Sequence, residues 1–319
     1  MKIIKRIYQK SMLKEKIDNY LENRILETLK GKLDFNNTRE FKKIFEVGFL
    51  NLQWELSINK GEKVVVKELE NALKINCYTD SHLSRDIFSN NFENSELIFL
   101  KNYLKKGDVF VDIGANIGLF SMFACQKVGS DGYVIAYEPT PKTYNRLLEN
   151  FKLNAFTNLE TYQLAISDNN KPQEFKISKD GYDGWNSLGK PTLGQFYESV
   201  YVDCNTIDNI AGMNKIFSRI KLIKIDVEGW ELHVLKGGKD FFSKPDAPTL
   251  LIEFAEQSAL NAGNSCEELY DYLNYLGYTL YQFDSINLNL TISKKKTFFY
   301  ENLVATKNVE GVKFELSNI

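Results

Sequence analysis

No stretch of this 319-residue sequence approaches the ~18 consecutive apolar residues of a membrane-spanning helix. Its start, Met1-Lys2-Ile3-Ile4-Lys5-Arg6, is basic, yet no apolar stretch of signal-peptide length follows. An excess of one charge is missing too. The formal net charge of −2 gives no electrostatic case for a nucleic-acid partner. The four cysteines, Cys77, Cys125, Cys204 and Cys266, lie far apart and form no C-x-x-C pair. They are expected to be reduced, mostly structural thiols of a cytoplasmic protein. Internal repeats and low-complexity segments are absent. What is present is 43% hydrophobic residues, enough for a substantial core, in a length that suits one large domain plus an extension.

Residues 1–75 are assigned to that extension. Ile4, Ile7, Tyr8, Leu13, Ile17, Tyr20, Leu21, Ile25 and Leu29 recur at helical spacing, and Gly31 is a plausible stop. The first forty-odd residues are mildly basic, but acids are interspersed, which favours a solvated helix face over a membrane-surface helix. Residues 54–58 and 63–66 flank Asn59-Lys60-Gly61 and suggest a hairpin. The extension could cap the main domain, dock a partner or form an oligomer interface.

Residues 76–319 alternate strand and helix, which implies an α/β fold with a mainly parallel sheet and helices on both faces. Strands are expected at 109–113, 132–137, 159–164, 222–226, 250–254, 278–283 and 302–306. Thr140-Pro141 supplies an N-cap and first-turn proline for the helix after the second strand. The continuous apolar runs at 222–225 and 250–252 suit strands buried on both faces, apart from Lys224. The connection at 169–220 is far longer than a usual crossover and counts as an insertion. Within it, 175–177 and 199–204 read as strands around an aromatic, glycine-rich loop, 181–186. An insertion over the carboxyl edge of a parallel sheet is a natural acceptor-binding element.

The segment Val111-Asp112-Ile113-Gly114-Ala115-Asn116-Ile117-Gly118 runs from a buried strand through a glycine turn into a helix. Glycines let backbone approach a ligand, and the first turn of the helix offers N–H groups to an anion. After the next strand comes Glu138, able to accept both hydroxyls of a ribose. These parts make a half-site for an adenosine-bearing cofactor. A dinucleotide fold would want Gly-x-Gly-x-x-Gly, but Asn116 and Leu119 occupy the second and third positions. Asp-x-Gly-x-Asn-x-Gly is the S-adenosylmethionine signature of class I methyltransferases. The cofactor's carboxylate would sit near the helix start and its ammonium near Asp112. Asp168, after the third strand, reaches the adenine edge or merely ends that strand.

A second motif is Ile223-Lys224-Ile225-Asp226-Val227-Glu228-Gly229-Trp230-Glu231. A buried strand ends in Asp226, which therefore projects at the carboxyl edge close to Gly114; its bland reading is a turn or cap residue. With both motifs in hand, the chain resembles the FkbM family of S-adenosylmethionine-dependent methyltransferases. The residues that carry the resemblance are Phe92-Glu93, the run 107–118, Tyr137-Glu138-Pro139, Ala165-Ile166-Ser167-Asp168, Ile207-Asp208, the run 224–229, Leu235-Lys236-Gly237-Gly238 and Ile252-Glu253. It spans residues 80–306. It implies a Rossmann-like class I sheet and methyl transfer, commonly to a hydroxyl on a sugar or a polyketide.

Direct displacement at a sulfonium methyl needs alignment and a base for the acceptor's proton. Asp226, His233 and Glu253 are the candidates at the carboxyl edge. His233 has a suitable reference pKa of ~6.5 but is not specified by the family pattern. Asp226 and Glu228 could instead hold a divalent cation, although two carboxylates in a turn are more often structural. Tyr182 and Trp185 could stack on a sugar ring or form a small core within the insertion. His82 has no visible partner. O-methylation of a sugar or glycan precursor leads. N-methylation of a peptide or amine, a non-catalytic binding module and, more weakly, an NAD oxidoreductase are the alternatives.

Overall fold

The computed structural model describes residues 38–182, 184, 186–190, 196–296 and 298–317, without the side chains of 38–45. The helical pattern expected within 1–31 lies outside the described residues. The first element is a helix, α1 (Thr38–Asn59). It is followed by β1 (Val64–Glu68) and β2 (Lys74–Tyr78), which pair antiparallel. The hairpin expected at 54–58 and 63–66 is thus displaced: its first arm is the end of α1. Apolar residues at 54, 56 and 58 fit a period of two. Tertiary burial decides otherwise, because Trp54 and Leu50 share a helix face. Trp54 is buried with its ring 5.4 Å from that of Phe88, and Leu50 packs on the same cluster. The boundary expected at residue 75 falls inside β2.

Two short helices, α2 (His82–Phe88) and α3 (Asn94–Tyr103), lead into the main sheet. There β3 (Val109–Ile113), α4 (Leu119–Val128), β4 (Tyr133–Tyr137), α5 (Pro141–Asn154) and β5 (Leu159–Tyr162) form consecutive parallel units. The long connection follows as β6 (Ala165–Ile166), β7 (Gln173–Ser178), β8 (Tyr197–Val202), β9 (Cys204–Asn205) and α6 (Ile207–Met213). Its strands leave the main sheet: β7 pairs antiparallel with β8, and β6 pairs with β9. The chain returns through β10 (Ile220–Ile225), α7 (Glu231–Gly237), α8 (Lys239–Phe242), β11 (Thr249–Phe254), α9 (Glu256–Asn261) and α10 (Cys266–Tyr275). It ends with β12 (Thr279–Asp284), β13 (Asn289–Ile292), β14 (Glu301–Thr306) and α11 (Val309–Ser317).

The strand order is β13-β12-β14-β11-β10-β3-β4-β5. From β11 to β5 the pairs are parallel; β14, β12 and β13 are joined on at one edge by antiparallel pairs. This is an α/β, Rossmann-like class I sheet. The edge strand β13 carried no sequence signal strong enough to be expected. Alternate residues feed two cores. Phe110, Leu222 and Leu251 face the core that also holds α3 and α4. Val111, Ile223 and Ile252 face the core that holds α7 and α10. All the central positions of β3 are buried, as a parallel strand covered on both faces requires. Among the described residues no helix is long and apolar enough to cross a membrane.

Trp54 and β2 belong to the core that backs β3. Trp54→Ala is therefore expected to lower the unfolding free energy by roughly 3 kcal/mol. A urea titration followed by far-ultraviolet circular dichroism measures it, and an unchanged midpoint would show α1 to be only loosely attached.

Candidate active site

The strands β3 and β10 end side by side, and backbone leaves no space between them. Asp226 N–H donates to the Ile113 carbonyl at 3.1 Å. Gly114 follows at φ +84°, where a Cβ would come 1.8 Å from the Asp226 carbonyl oxygen. Only glycine fits. The N–H groups of Gly114 and Ala115 both donate to the Tyr137 carbonyl, at 3.0 and 2.9 Å, which turns the chain over the end of β4.

Glu138 stands beside this turn, buried. Asn116 N–H donates to one of its oxygens at 3.2 Å; Thr140 N–H and hydroxyl donate to the other at 2.9 and 2.6 Å. Thr140 is the N-cap of α5 as the sequence suggests, but its hydroxyl orients Glu138 and makes no cap bond. Asp112 is buried one strand over and accepts from the Ser121 hydroxyl at 2.5 Å. Burial raises its carboxyl pKa, and the nearby Lys224 ammonium pulls it down.

Lys224 breaks the apolar run of β10, and the sheet register explains why it is there. It lies in register with Asp112 on β3. Its side chain is 4% exposed and its Nζ sits over the Phe120 ring at 4.5 Å. That ammonium bonds Asp226 at 2.5 Å and stands 3.8 Å from Glu93. Despite burial, the carboxylates Asp226, Glu93 and Asp112 hold the Lys224 pKa above the ordinary lysine range. Glu93 precedes α3 in a left-handed conformation. It accepts from the Tyr300 hydroxyl at 3.0 Å, and burial pushes its carboxyl up to about 7.

Next along the edge comes the turn after β10. Val227 N–H and Gly229 N–H both donate to Glu231, at 2.9 and 3.2 Å, so this first-turn acid ties the turn together. Gly229, at φ +94°, presses against α9: a Cβ would lie 2.2 Å from the Ser258 carbonyl oxygen. Glu228 and Glu253 point into the same space as Asp226. Burial and neighbouring carboxylates push both of them well above the ordinary carboxyl range.

These groups line one cavity of about 770 Å³. One part carries Asp112, Gly114, Asn116 and Glu138; another carries Glu93, Lys224, Asp226, Glu228 and Glu253. Phe175, Gly184, Asn186 and Leu188 of the long connection also line it, so the insertion does reach the cavity.

Several sequence candidates stand elsewhere. Gly118, at φ +90°, caps α4 with its Cα turned to Phe151 and is not among the lining residues. Asp168 is exposed, accepts from the Asn169 side chain at 2.8 Å, and does not line the cavity. His233 does not line it either. Three residues past Trp230, it stacks on that indole with centroids 3.7 Å apart; Trp230 is the residue that reaches the cavity. Burial lowers the His233 pKa. Tyr182 stacks on His82 at 4.3 Å, outside the cavity lining. Trp185 lies outside the described residues. Glu93, Lys224 and Tyr300 are site residues to which sequence reasoning gave no role. The available signals were the charged residue inside a buried strand, for Lys224, and the family resemblance, which includes Glu93 and Lys224 without giving either a role.

Residues 112–280 match the methyltransferase FkbM domain. The chain is 26% identical over 145 residues to methyltransferase 1 of Beauveria bassiana, covering 41% of this chain and 58% of that protein. It is 30% identical over 161 residues to methyltransferase sdnD of Sordaria araneosa, covering 42% and 61%. It is 30% identical over 137 residues to the hexuronic acid methyltransferase AglP of Haloferax volcanii, covering 42% and 51%. The matches thus span between about half and three-fifths of these relatives' lengths.

Lys224 is the cation that Asp226 and Glu93 share. Lys224→Met is expected to cost roughly 3–5 kcal/mol of unfolding free energy in mildly alkaline buffer, the range for leaving buried charge unpaired. The loss shrinks below pH 7, where Glu93, titrating at about 7, takes up a proton and no longer needs the ammonium. Chemical denaturation at two pH values measures both effects; a pH-independent loss would mean that Lys224 acts only by packing.

Proposed function

The chain belongs to the methyltransferase FkbM family, and from that premise we propose that it transfers the methyl group of S-adenosylmethionine to a hydroxyl on a sugar or glycan precursor. The observation that carries the reading is the shared cavity: the glycine turn with Glu138 and the carboxylate group around Asp226 line the same space. The residues fit the cofactor. The tight turn at Gly114 brings backbone to the cavity wall, and Glu138, held by Thr140 and Asn116, lines the same cavity. A carboxylate at this place is the acceptor type that ribose hydroxyls call for. Asp112 suits the cofactor's ammonium, and the first turn of α4 its carboxylate.

When bound, the sulfonium supplies an electrophilic methyl: the new O–C bond forms as the S–C bond breaks, and its electron pair stays on sulfur. The chain's own residues hold the acceptor in line and take its proton. Asp226 and Glu253 are the cavity-facing bases, and the Glu253 carboxyl, pushed upward by burial and neighbouring carboxylates, has the raised basicity a proton acceptor uses. A second route to the same end, favoured by the convergence of carboxylates, is a divalent cation at Asp226 and Glu228 that lowers the hydroxyl's pKa. The hexuronic acid named for the Haloferax relative supports a sugar as acceptor. Asn186 and Trp230 offer a polar amide and an indole to such a ring.

Two measurements test the reading. By calorimetry, Glu138→Ala is expected to weaken S-adenosylmethionine by about 1–3 kcal/mol through lost charge-assisted hydrogen bonds. NAD binding as tightly as S-adenosylmethionine would overturn the assignment. Asp226→Asn keeps size and removes charge, so kcat should fall at least about a hundredfold while S-adenosylmethionine still binds. Near-normal turnover in that variant would remove Asp226 from the chemical step.

A further inference from the structure

We propose that Asp226, Glu228 and Glu253 bind one hard divalent cation, of the Mg²⁺, Mn²⁺ or Ca²⁺ class, at the acceptor end of the cavity. Its chemical role rests on the methyltransferase reading; the binding itself does not. One oxygen from each residue falls in a group whose members all lie within 4.8 Å of one another. That span is twice the Ca²⁺–oxygen distance of about 2.4 Å, so the three atoms fit one coordination sphere.

An independent observation points to a ligand. Glu253 is 2% exposed, lines the cavity, and its Oε2 is buried without a hydrogen-bond partner. Glu93 Oε2 also lacks a hydrogen bond, but the Lys224 ammonium stands 3.8 Å from it, and the remaining buried acids here are served. Glu231 receives Val227 N–H and Gly229 N–H, Asp112 receives Ser121, and Glu138 receives Thr140 and Asn116. Native structures rarely leave such an oxygen bare, because the lost solvation is not replaced.

Charge points the same way. Lys224 is bonded to Asp226 and close to Glu93, and one ammonium can balance only one carboxylate. Protons or a dication must balance the rest. A proton could join only one pair of these carboxyl oxygens. A cation satisfies all three residues at once.

The donor set selects the ion. It consists of carboxylate oxygens without imidazole or thiolate, which suits Mg²⁺, Mn²⁺ and Ca²⁺ over Zn²⁺ or Cu²⁺. The Ser258 hydroxyl adds an oxygen 3.4 Å from Glu228. The turn bearing Glu228 is fixed by Glu231 and by the close approach of Gly229 to α9, so the ligands are pre-organised. Coordination positions left over open into the cavity, where two neighbouring hydroxyls of a sugar could chelate the ion. Bound there, a hydroxyl becomes more acidic. Its proton passes to a carboxylate oxygen of the same cluster, and the bond changes at methyl and sulfur stay as described.

The test is a Mn²⁺ titration of the full chain, without S-adenosylmethionine, read by the loss of the free-ion electron paramagnetic resonance signal. One Mn²⁺ per chain is expected to bind and to be displaced by Mg²⁺ or Ca²⁺. The near-isosteric Glu253→Gln and Glu228→Gln, checked for folding by circular dichroism, are expected to weaken it at least about tenfold. Mn²⁺ remaining free with the wild-type chain overturns the site, as does unaltered binding by both folded variants. Calorimetry with S-adenosylmethionine in EDTA runs alongside. Cofactor binding without Mn²⁺ uptake overturns the cation and leaves the methyltransferase reading standing; Mn²⁺ uptake without cofactor binding does the reverse.

Discussion

The close contact between the ends of β3 and β10 governs the rest of the carboxyl edge. Gly114 and the Asp226 carbonyl approach so closely that no side chain can stand between them. That single backbone constraint sets the glycine turn and the acidic cluster against one another and makes one cavity of two motifs. It also explains why the first motif needs glycine at 114 for a steric reason before any cofactor is considered. The same device recurs at Gly229, which lies against the Ser258 carbonyl and so brings Glu228 toward Glu253. Close backbone contact, more than side-chain packing, gives this edge its shape.

Around that contact the sheet register sorts charge onto one face. Asp112, Lys224, Asp226 and Glu253 continue the alternation of Phe110, Leu222 and Leu251, whose side chains fill the core beneath. A few residues toward the carboxyl ends, the same rows turn from apolar to ionic. Phe120 and Ser121 of α4 meet the rows there, and Glu93 and Tyr300 arrive from other parts of the chain to close the side. Period-two geometry therefore does two tasks along one strand: burial in the middle and a charged cavity wall at the end.

Much of this was legible in the sequence. The parallel strands, the glycine turn, Glu138 and the Asp226 turn all have local signatures, and each fell close to its expected position. What was not legible depends on long-range packing. The residues 54–58 alternate as a strand would, but the helix wins because it buries Trp54 against Phe88. His233 had the right chemistry and neighbourhood; which face of α7 meets the cavity is a tertiary fact, and Trp230 took that place. Glu93 and Tyr300 are separated from β10 by long stretches of chain, so no spacing could join them to Lys224 and Asp226. Lys224 was visible as an exception to an apolar run and as part of the family resemblance, without a role in either.

That exception carries a physical argument about purpose. A fold seeking stability alone would fill the end of β10 with aliphatic side chains, as it does for Leu222, Ile223 and Ile225. Here it buries an ammonium and several carboxylates, and their lost solvation is only partly replaced by mutual attraction. The carboxyls of Glu93, Glu228 and Glu253 are all shifted upward, which is the thermodynamic sign that their ionised forms are held at a cost. Nothing in the packing requires them: α4, on the same face, is buried along nearly its whole length with apolar residues. A chain that keeps such groups together beside the glycine turn gives up stability there, the pattern expected of a functional site rather than of a core.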